Sequence, residues 1–231
     1  MVGSAFWRAR LGERIILGTL AALVAVGLVL AIRDPAAFRR YTSEQGPVEN
    51  LTVVAFLGGA VLCLHRAWRW RRDGRRRLRM ATTVALAALF VVAAGEELSW
   101  GQRLLAFGTP EFFERHNLQR ETNLHNLVVS GVKINKLVFG SGLLVVILAY
   151  CSLLPWGYRR WPWLRVLADL LAVPVPRTRH LLWYLALAVM ATSIPSGFRW
   201  ELLELVSSTM FLLFTADPLN AEAFDGERNG P

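Results

Sequence analysis

The residue types that can do chemistry are concentrated in one polar part of the chain, residues 96–136. This segment begins with two adjacent carboxylates, Glu96 and Glu97, and continues through Arg103 to Glu121 and His125. Carboxylates and imidazoles are common general acids and bases, and the same groups bind divalent metal ions. A loop that serves only solubility rarely mixes such groups with apolar residues in this way. We therefore expect these side chains to contact one another or a ligand.

Glu96 and Glu97 directly follow an apolar block that ends at residue 95. If that block spans a membrane, both carboxylates lie near the membrane surface, where partial desolvation and the negative carboxyl end of the helix disfavour them. Two explanations remain open. In one, Arg103 forms an internal salt bridge with Glu96, two helical turns away on the same face. In the other, one glutamate is a general base or metal ligand and Arg103 binds an anion.

Glu121 and His125 are four residues apart, so they share one face if this stretch is helical. Such a pair can bind a metal or act as a base with its orienting partner, and it can equally be a surface ion pair. The candidate catalytic residues are therefore Glu96, Glu97, Glu121 and His125. The candidate cofactor is a divalent metal ion held by Glu97, Glu121 and His125.

A third acidic group lies at the start of the last apolar block, where Arg199 precedes Glu201 and Glu204. At 1.5 Å per residue, Glu204 lies near the middle of a membrane, where ionisable residues usually face the protein interior and need partners. Alternatively, a short helical hairpin thins the membrane locally and Glu201 complements a helix amino terminus. If the three regions converge, the candidate substrate-binding residues are Gln102, Arg103, Asn123, Asn126, Arg199 and Glu204.

The elements that must position these residues are helices. Of the 231 residues, 54% are hydrophobic and 19% are charged, with a mean hydropathy of +0.38. About 20 apolar residues are needed for a helix to cross roughly 30 Å of hydrocarbon. The sequence therefore predicts an all-α polytopic transmembrane bundle, a single domain over residues 1–214, followed by a disordered acidic tail over residues 215–231. Its six spans are centred on the apolar blocks 15–32, 48–64, 80–95, 137–154, 180–194 and 200–214.

The distribution of arginine predicts the orientation of these spans. Eight arginines lie within residues 66–79, and such loops stay in the cytoplasm. Six spans then place both termini and 17 of the 26 basic residues in the cytoplasm. The first block has no small-residue cleavage pattern after it, which favours a retained anchor. The net charge of +9 is thus explained by topology and contact with membrane lipids, so we expect no nucleic-acid partner; protein partners are not predicted.

The amino-acid sequence of the polar segment resembles that of a group of uncharacterised bacterial polytopic membrane proteins. They share the stretch Gly-Glu-Glu-x-Ser-Trp-Gly-Gln-Arg, here residues 95–103, followed by Asn-Leu-His-Asn, here residues 123–126. The resemblance implies a multi-pass protein of the bacterial cytoplasmic (inner) membrane. A looser likeness is to the CAAX-type intramembrane proteases, but here Arg103 comes two positions too late and Phe112-x-x-x-His116 falls in a polar segment.

These observations favour a membrane-embedded hydrolase or transferase acting on a lipid or lipid-linked substrate at the outer leaflet. In that hypothesis Glu96 or Glu97 is the base or metal ligand, and Arg103 or Arg199 holds an anionic head group. The alternatives are a transporter or binding protein for a cation or polar solute, with Glu204 on its pathway, and a structural membrane subunit.

Overall fold

The computed structural model describes residues 2–124, 126–129, 132–133 and 142–224. It is helical except for one antiparallel pair of two-residue strands, β1 (Val128–Val129) and β2 (Val132–Lys133). The helices are α1 (Val2–Arg33), α2 (Pro35–Tyr41), α3 (Pro47–Trp70), α4 (Arg77–Glu97), α5 (Gln102–Leu105), α6 (Glu111–His116), α7 (Leu143–Arg160), α8 (Pro162–Leu170), α9 (Thr178–Thr192) and α10 (Arg199–Ala216).

The last long helix, α10, is the centre of the bundle. It packs against α3, α9 and α1, and α3 in turn packs along α4. Residues on several sides of α10 are almost fully buried, including Leu202, Leu205, Val206 and Met210. A helix with apolar residues on several sides is expected in the interior of a bundle, and α10 follows this pattern.

The outer helices expose apolar side chains instead of covering them. Leu20 and Val24 of α1 are buried, whereas Val29 and Ile32 of the same helix are 54% and 67% exposed. Val61 of α3 and Leu89 of α4 are exposed to a similar extent. Soluble proteins seldom leave so much apolar surface in contact with water, whereas lipid tails accept it.

Three helical segments are long and apolar enough to cross a membrane: Leu11–Arg33, Pro47–Trp70 and Arg77–Glu97. The prediction of a transmembrane helical protein is confirmed at that level. Each of the six predicted blocks also contains a helix, because α7, α9 and α10 cover most of the last three. These three have 18, 15 and 18 residues.

The carboxyl end of the described chain folds back onto the bundle. Arg66 donates hydrogen bonds to the Thr215 and Ala216 carbonyls, at 2.5 and 3.3 Å. Phe224 is buried beside Trp70, with 6.3 Å between the ring centroids. The sequence placed disorder from residue 215 onward, whereas residues 215–224 are packed in this way. Residues 225–231 lie outside the described part of the chain.

Candidate functional site

A tight turn joins α4 to α5 and carries the first part of the polar motif. Ser99, Trp100 and Gly101 all have positive φ angles, of 47°, 55° and 77°. The turn brings the Trp100 ring back onto Gly95, where an added Cβ would lie 2.9 Å from ring atoms. Only glycine leaves room for the ring at that position. The helix therefore stops at Glu97 and does not continue to Arg103.

Glu96 is buried beneath this turn and accepts hydrogen bonds from both sides. The Trp100 indole Nε1 donates to Oε1 at 2.8 Å, and the Leu124 amide donates to Oε2 at 2.5 Å. A salt bridge between Glu96 and Arg103, one of the two explanations that the sequence left open, is not formed between these described residues, because α4 ends at Glu97 and the turn breaks the helix between them. Glu96 instead ties the end of α4 to the loop that precedes the strands.

Arg103 lies among three other carboxylates. Its Nε and Nη2 donate to the two oxygens of Glu121 at 2.6 Å each, a bidentate geometry. Nη2 also lies 2.5 Å from Glu44, and Nη1 lies 3.6 Å from Glu49. The guanidinium therefore offsets part of the charge of acids from two separate parts of the chain, residues 44–49 and residue 121.

The electrostatics of this group hold Arg103 in its charged form. Burial lowers the pKa of the guanidinium, but the hydrogen bonds to Glu121 and the charges of Glu44, Glu121 and Glu49 outweigh it, so the pKa of Arg103 is raised. With three carboxylates around it, Arg103 is already supplied with anions. The geometry gives little support to Arg103 as a contact for an anionic head group.

Both carboxylate oxygens of Glu121 accept hydrogen bonds in the same arrangement. Besides the two bonds from Arg103, its Oε2 accepts from the Ser99 hydroxyl at 2.5 Å. Residues 121–124 are not helical, so the expectation that Glu121 and His125 share a helix face does not apply. His125 itself lies outside the described residues, and the metal site at Glu97, Glu121 and His125 stays a prediction.

The amides of the motif build the loop. Asn117 donates to both the carbonyl and the side-chain oxygen of Asn123 at 2.8 Å, and Asn123 donates to Ser99 at 2.9 Å. Asn126 donates to the Gln119 side chain. Asn117, Asn123 and Asn126 are all buried. Buried amides need such partners, and these contacts explain the asparagines as loop-forming residues.

Gln102 fixes the opposite side of the loop. Its Nε2 donates to the Thr109 hydroxyl at 2.6 Å, and its Oε1 accepts from the Thr122 amide at 2.7 Å. Thr109 passes the connection on to the Arg120 carbonyl at 2.7 Å. Gln102 thus has partners for both ends of its side-chain amide within the protein.

A cavity of about 340 Å³ lies beneath this loop, against α3, α4 and α10. Its acidic lining residues are Glu96, Glu97 and Glu204, joined by Ser207 and Ser208 of α10. The rest of the wall is apolar: Phe56, Leu89, Val92, Ala93, Leu124 and Phe211. The structure thus brings two of the three predicted acidic regions together, the end of α4 and the first half of α10.

The cavity wall gathers acidic side chains. The acidic neighbours of Glu204 are Glu97, Glu201 and Glu49. The described residues that line the cavity include no arginine or lysine. Among the described residues, no side chain or amide donates a hydrogen bond to Glu204. A carboxylate placed like that of Glu204 is stabilised by a proton, a cation or a ligand group.

Arg199 is placed apart from this cavity. It begins α10, and its guanidinium lies 5.3 Å from the Trp200 ring centroid. The residues described as lining the cavity do not include it. Its predicted role as a head-group contact therefore has no geometric support from the cavity.

Two residues of the site were missed by the sequence analysis, Glu44 and Glu49. Glu49 sits in the first turn of α3, where an acid is commonly explained by the helix dipole. It is nevertheless buried, and its Oε2 accepts from the Gln45 amide at 2.5 Å. Glu44 precedes the second apolar block and Glu49 is the second residue of that block, so both lie on the side of the membrane predicted for Arg103. Their predicted location on the same side as Arg103 was the signal in the sequence that could have identified them as its partners.

A second cluster of titratable groups lies where α1, α9 and α10 meet. Glu13, His180 and Asp217 bring potential metal-ligating atoms within 4.8 Å of one another. Arg179 donates to Glu13 at 2.7 and 2.9 Å and also to Asp217, and Arg177 donates to Asp217 at 3.0 Å. Two arginines therefore already balance the two acids. The arrangement is that of a salt-bridge network that ties three helices together.

Comparison with known proteins adds no assignment to this geometry: no family model, curated protein or solved structure matches the chain.

Proposed function

We propose that the protein is an integral membrane hydrolase or transferase whose lipid or lipid-linked substrate occupies the cavity against α3, α4 and α10. The observation that carries this proposal is the apolar wall around a group of carboxylates, in a volume of about 340 Å³. Ligand pockets are mostly apolar with a few placed polar groups, and their volumes start near 300 Å³. An acyl or prenyl chain fits such a wall, and its polar end would reach the glutamates.

Glu97 and Glu204 are the reacting carboxyl groups of this proposal. As general base, one takes the proton of a hydroxyl or water while that oxygen attacks the acyl or phosphoryl centre, and the other returns a proton to the leaving oxygen. Glu96 acts as a positioning residue, since Trp100 and Leu124 already bond both of its oxygens. No step needs a metal ion or the Glu121 carboxylate.

The second candidate is a binding or transport protein for a cation or polar solute. It is favoured by the oxygen atoms of the cavity wall, where the Glu97 and Glu204 carboxyl groups lie beside the Ser207 and Ser208 hydroxyl groups. Carboxylate and other oxygen ligands of this kind bind hard cations. The two candidates differ in whether a lipid is converted or a cation is bound.

The proposed topology has six spans across a bacterial inner membrane, with both termini on its cytoplasmic side. Two observations support it: a helix lies over each apolar block, and eight arginines lie within residues 66–79. Helices α7 and α10 would span about 27 Å at 1.5 Å per residue, and α9 less, so the membrane would be thin around the cavity.

The test uses the purified full-length chain in lipid nanodiscs. A total lipid extract of the expression host is added, and mass spectrometry compares the lipids before and after incubation. Wild type is expected to convert at least one lipid class, and Glu97→Gln and Glu204→Gln are expected to slow that conversion about a hundredfold or more. Ala93→Phe, which fills the cavity and leaves every carboxylate in place, should do the same.

Glu111→Gln is the matched control, because Glu111 pairs only with Arg115 on the exposed α6 and should keep wild-type turnover. Equal turnover in wild type and in the three cavity variants, Glu97→Gln, Glu204→Gln and Ala93→Phe, would overturn the enzyme proposal. If wild type converts nothing but binds Mn²⁺ saturably, and Glu97→Gln and Glu204→Gln lose that binding, the second candidate is correct.

A further inference from the structure

The end of the bundle that carries α8 has an apolar face that no described residue covers. Helix α8 is joined to α7 at Trp161 and packs back on it through Leu164. A Cβ added to Gly157 would lie only 2.7 Å from the Leu164 side chain, so the glycine allows this close approach. Its other side carries the exposed residues Trp163, Val166, Leu167 and Leu170. Spacings of three and four place these residues on one stripe of the helix.

Such a stripe is typical of a helix that lies in the membrane interface. Apolar residues cover one face of α8, and Arg165 lies beside them with its guanidinium over the Tyr158 ring. Trp156 and Trp161 extend the exposed aromatic surface from α8 to the end of α7. Tryptophan prefers the level of the lipid head groups. The stripe therefore faces lipid at that level.

A pocket of about 390 Å³ lies beside this aromatic surface, between the end of α7 and the start of α9. Arg159, Arg160 and Thr178 supply its polar groups, and Pro155, Trp156 and Leu181 are among its apolar ones. Arg159 donates to the Thr178 hydroxyl at 3.4 Å. No carboxylate is among the described residues lining this pocket, so its charge is positive.

The start of α9 adds to the positive potential. Thr178 is its first residue and lines the pocket, so the positive end of the α9 dipole lies beside it. Arginine and helix amino termini both favour phosphate oxygens. The apolar side of the pocket, continuous with the tryptophans, distinguishes a phosphate carried by a lipid from a free one.

We propose that this pocket binds the head-group phosphate of an anionic phospholipid, with Arg159 and Arg160 at the phosphate and the acyl chains along Trp156 and the apolar stripe of α8. The site is separate from the carboxylate-lined cavity and does not depend on the function proposed for it. It would fix α7, α8 and the start of α9 to one leaflet through a specific lipid.

The experiment measures lipid retained by the full-length protein in a neutral detergent, using native mass spectrometry. Phosphatidylglycerol and phosphatidylcholine with identical acyl chains are added at equal concentration. Wild type is expected to retain phosphatidylglycerol about tenfold more strongly than phosphatidylcholine, an effect of about 1.4 kcal/mol. Both head groups carry a phosphate, but the choline cation of phosphatidylcholine cancels its negative charge and is repelled by the two arginines. The double variant Arg159→Gln/Arg160→Gln should lose this preference.

The matched control is Arg39→Gln/Arg40→Gln, which removes an equally exposed adjacent arginine pair from α2. It should keep the preference for phosphatidylglycerol. If the double variant retains the lipid as wild type does, or the control loses it equally, the proposal is wrong. The single variants Arg159→Gln and Arg160→Gln apply the same test where the double variant does not fold.

Two further arms separate the lipid from simpler anions. Inorganic phosphate at the same concentration should not displace bound phosphatidylglycerol. If phosphate displaces the lipid as well as added phosphatidylglycerol does, the choice of a lipid is wrong. Leu167→Gln, which leaves the charge unchanged, should weaken retention of phosphatidylglycerol by removing part of the apolar stripe. Unchanged retention in Leu167→Gln would remove α8 from the proposed site.

Discussion

Arg103 and Glu121 are joined by two hydrogen bonds of 2.6 Å, from Nε to Oε1 and from Nη2 to Oε2. The pair connects the short α5 to the loop that carries the buried Asn123, and Glu44 and Glu49 surround the same guanidinium. The most charged part of the polar motif therefore holds the loop in place through ion pairs. Glu97 and Glu204 line the separate cavity against α3, α4 and α10.

We expect Arg103→Gln to be strongly destabilising, because it removes the shared cation from the buried Glu49, the partly buried Glu121 and the exposed Glu44. Breaking one side of a buried ion pair costs about 3 kcal/mol or more in the free energy of unfolding. Thermal unfolding in mild detergent measures the loss. Arg103→Lys keeps the charge but not the two parallel bonds, and it should fall between wild type and Arg103→Gln.

Arg115→Gln is the comparison for that prediction. Arg115 pairs with Glu111 across one turn of α6, and both side chains are largely exposed. Such a pair contributes about 0.5 kcal/mol or less. An equal loss of stability in Arg103→Gln and Arg115→Gln would contradict a special role for Arg103.

Gly95→Ala should destabilise the protein by about 1–3 kcal/mol, since the new methyl group would overlap the Trp100 ring. The measurement is again thermal unfolding. Gly18→Ala is matched to it, because Gly18 also lies in a long helix but has open space where its Cβ would be. That substitution should leave stability unchanged or raise it by up to about 1 kcal/mol. The reverse order would show that Trp100 does not pack on α4.

Glu13→Gln should weaken the connection between α1 and α9, since Glu13 accepts two hydrogen bonds from Arg179 and also contacts His180 at 3.1 Å. Loss of this partly buried carboxylate leaves Arg179 with only Asp217, and we expect a lower unfolding temperature. Zinc ions should not raise the unfolding temperature of wild type through this cluster, because two arginines already occupy its carboxylates. A zinc-dependent rise that Glu13→Gln abolishes would instead establish a metal site.

Opposite sides of the membrane are predicted for Arg39 and Arg72, both of which are exposed. A membrane-impermeant maleimide added to intact cells should label Arg39→Cys, and it should label Arg72→Cys only after lysis. The native Cys63 and Cys151 are buried, so unmodified protein provides the background. Labelling of both variants from the same side would contradict the proposed orientation.

The sequence predicted the helices better than the contacts of the polar motif. Apolar blocks long enough for helices are visible in one sequence, and a helix lies over each of them. The course of the chain after Glu97 was not predictable in the same way, because a turn with two non-glycine residues at positive φ has no strong local signal. That turn decides which partner Arg103 reaches.

The partners of Arg103 illustrate the same limit. Glu44 and Glu49 are more than 50 residues away along the chain, and only the packing of α3 against α4 brings them close. Glu204 was easier to single out as a candidate, because a carboxylate inside an apolar block is unusual whatever the helix packs against. Depth in the membrane follows from counting residues, whereas lateral neighbours follow from tertiary packing.

The contacts of Arg66 with the last carbonyls of α10 bear on how the chain is assembled during synthesis. Arg66 and Trp70 are made early, yet their partners Thr215, Ala216 and Phe224 are among the last described residues. The central helix can close at its carboxyl end only after residues 215–224 have left the ribosome. A truncation before Phe224 should therefore leave a chain that inserts normally but is recognised by quality-control proteases.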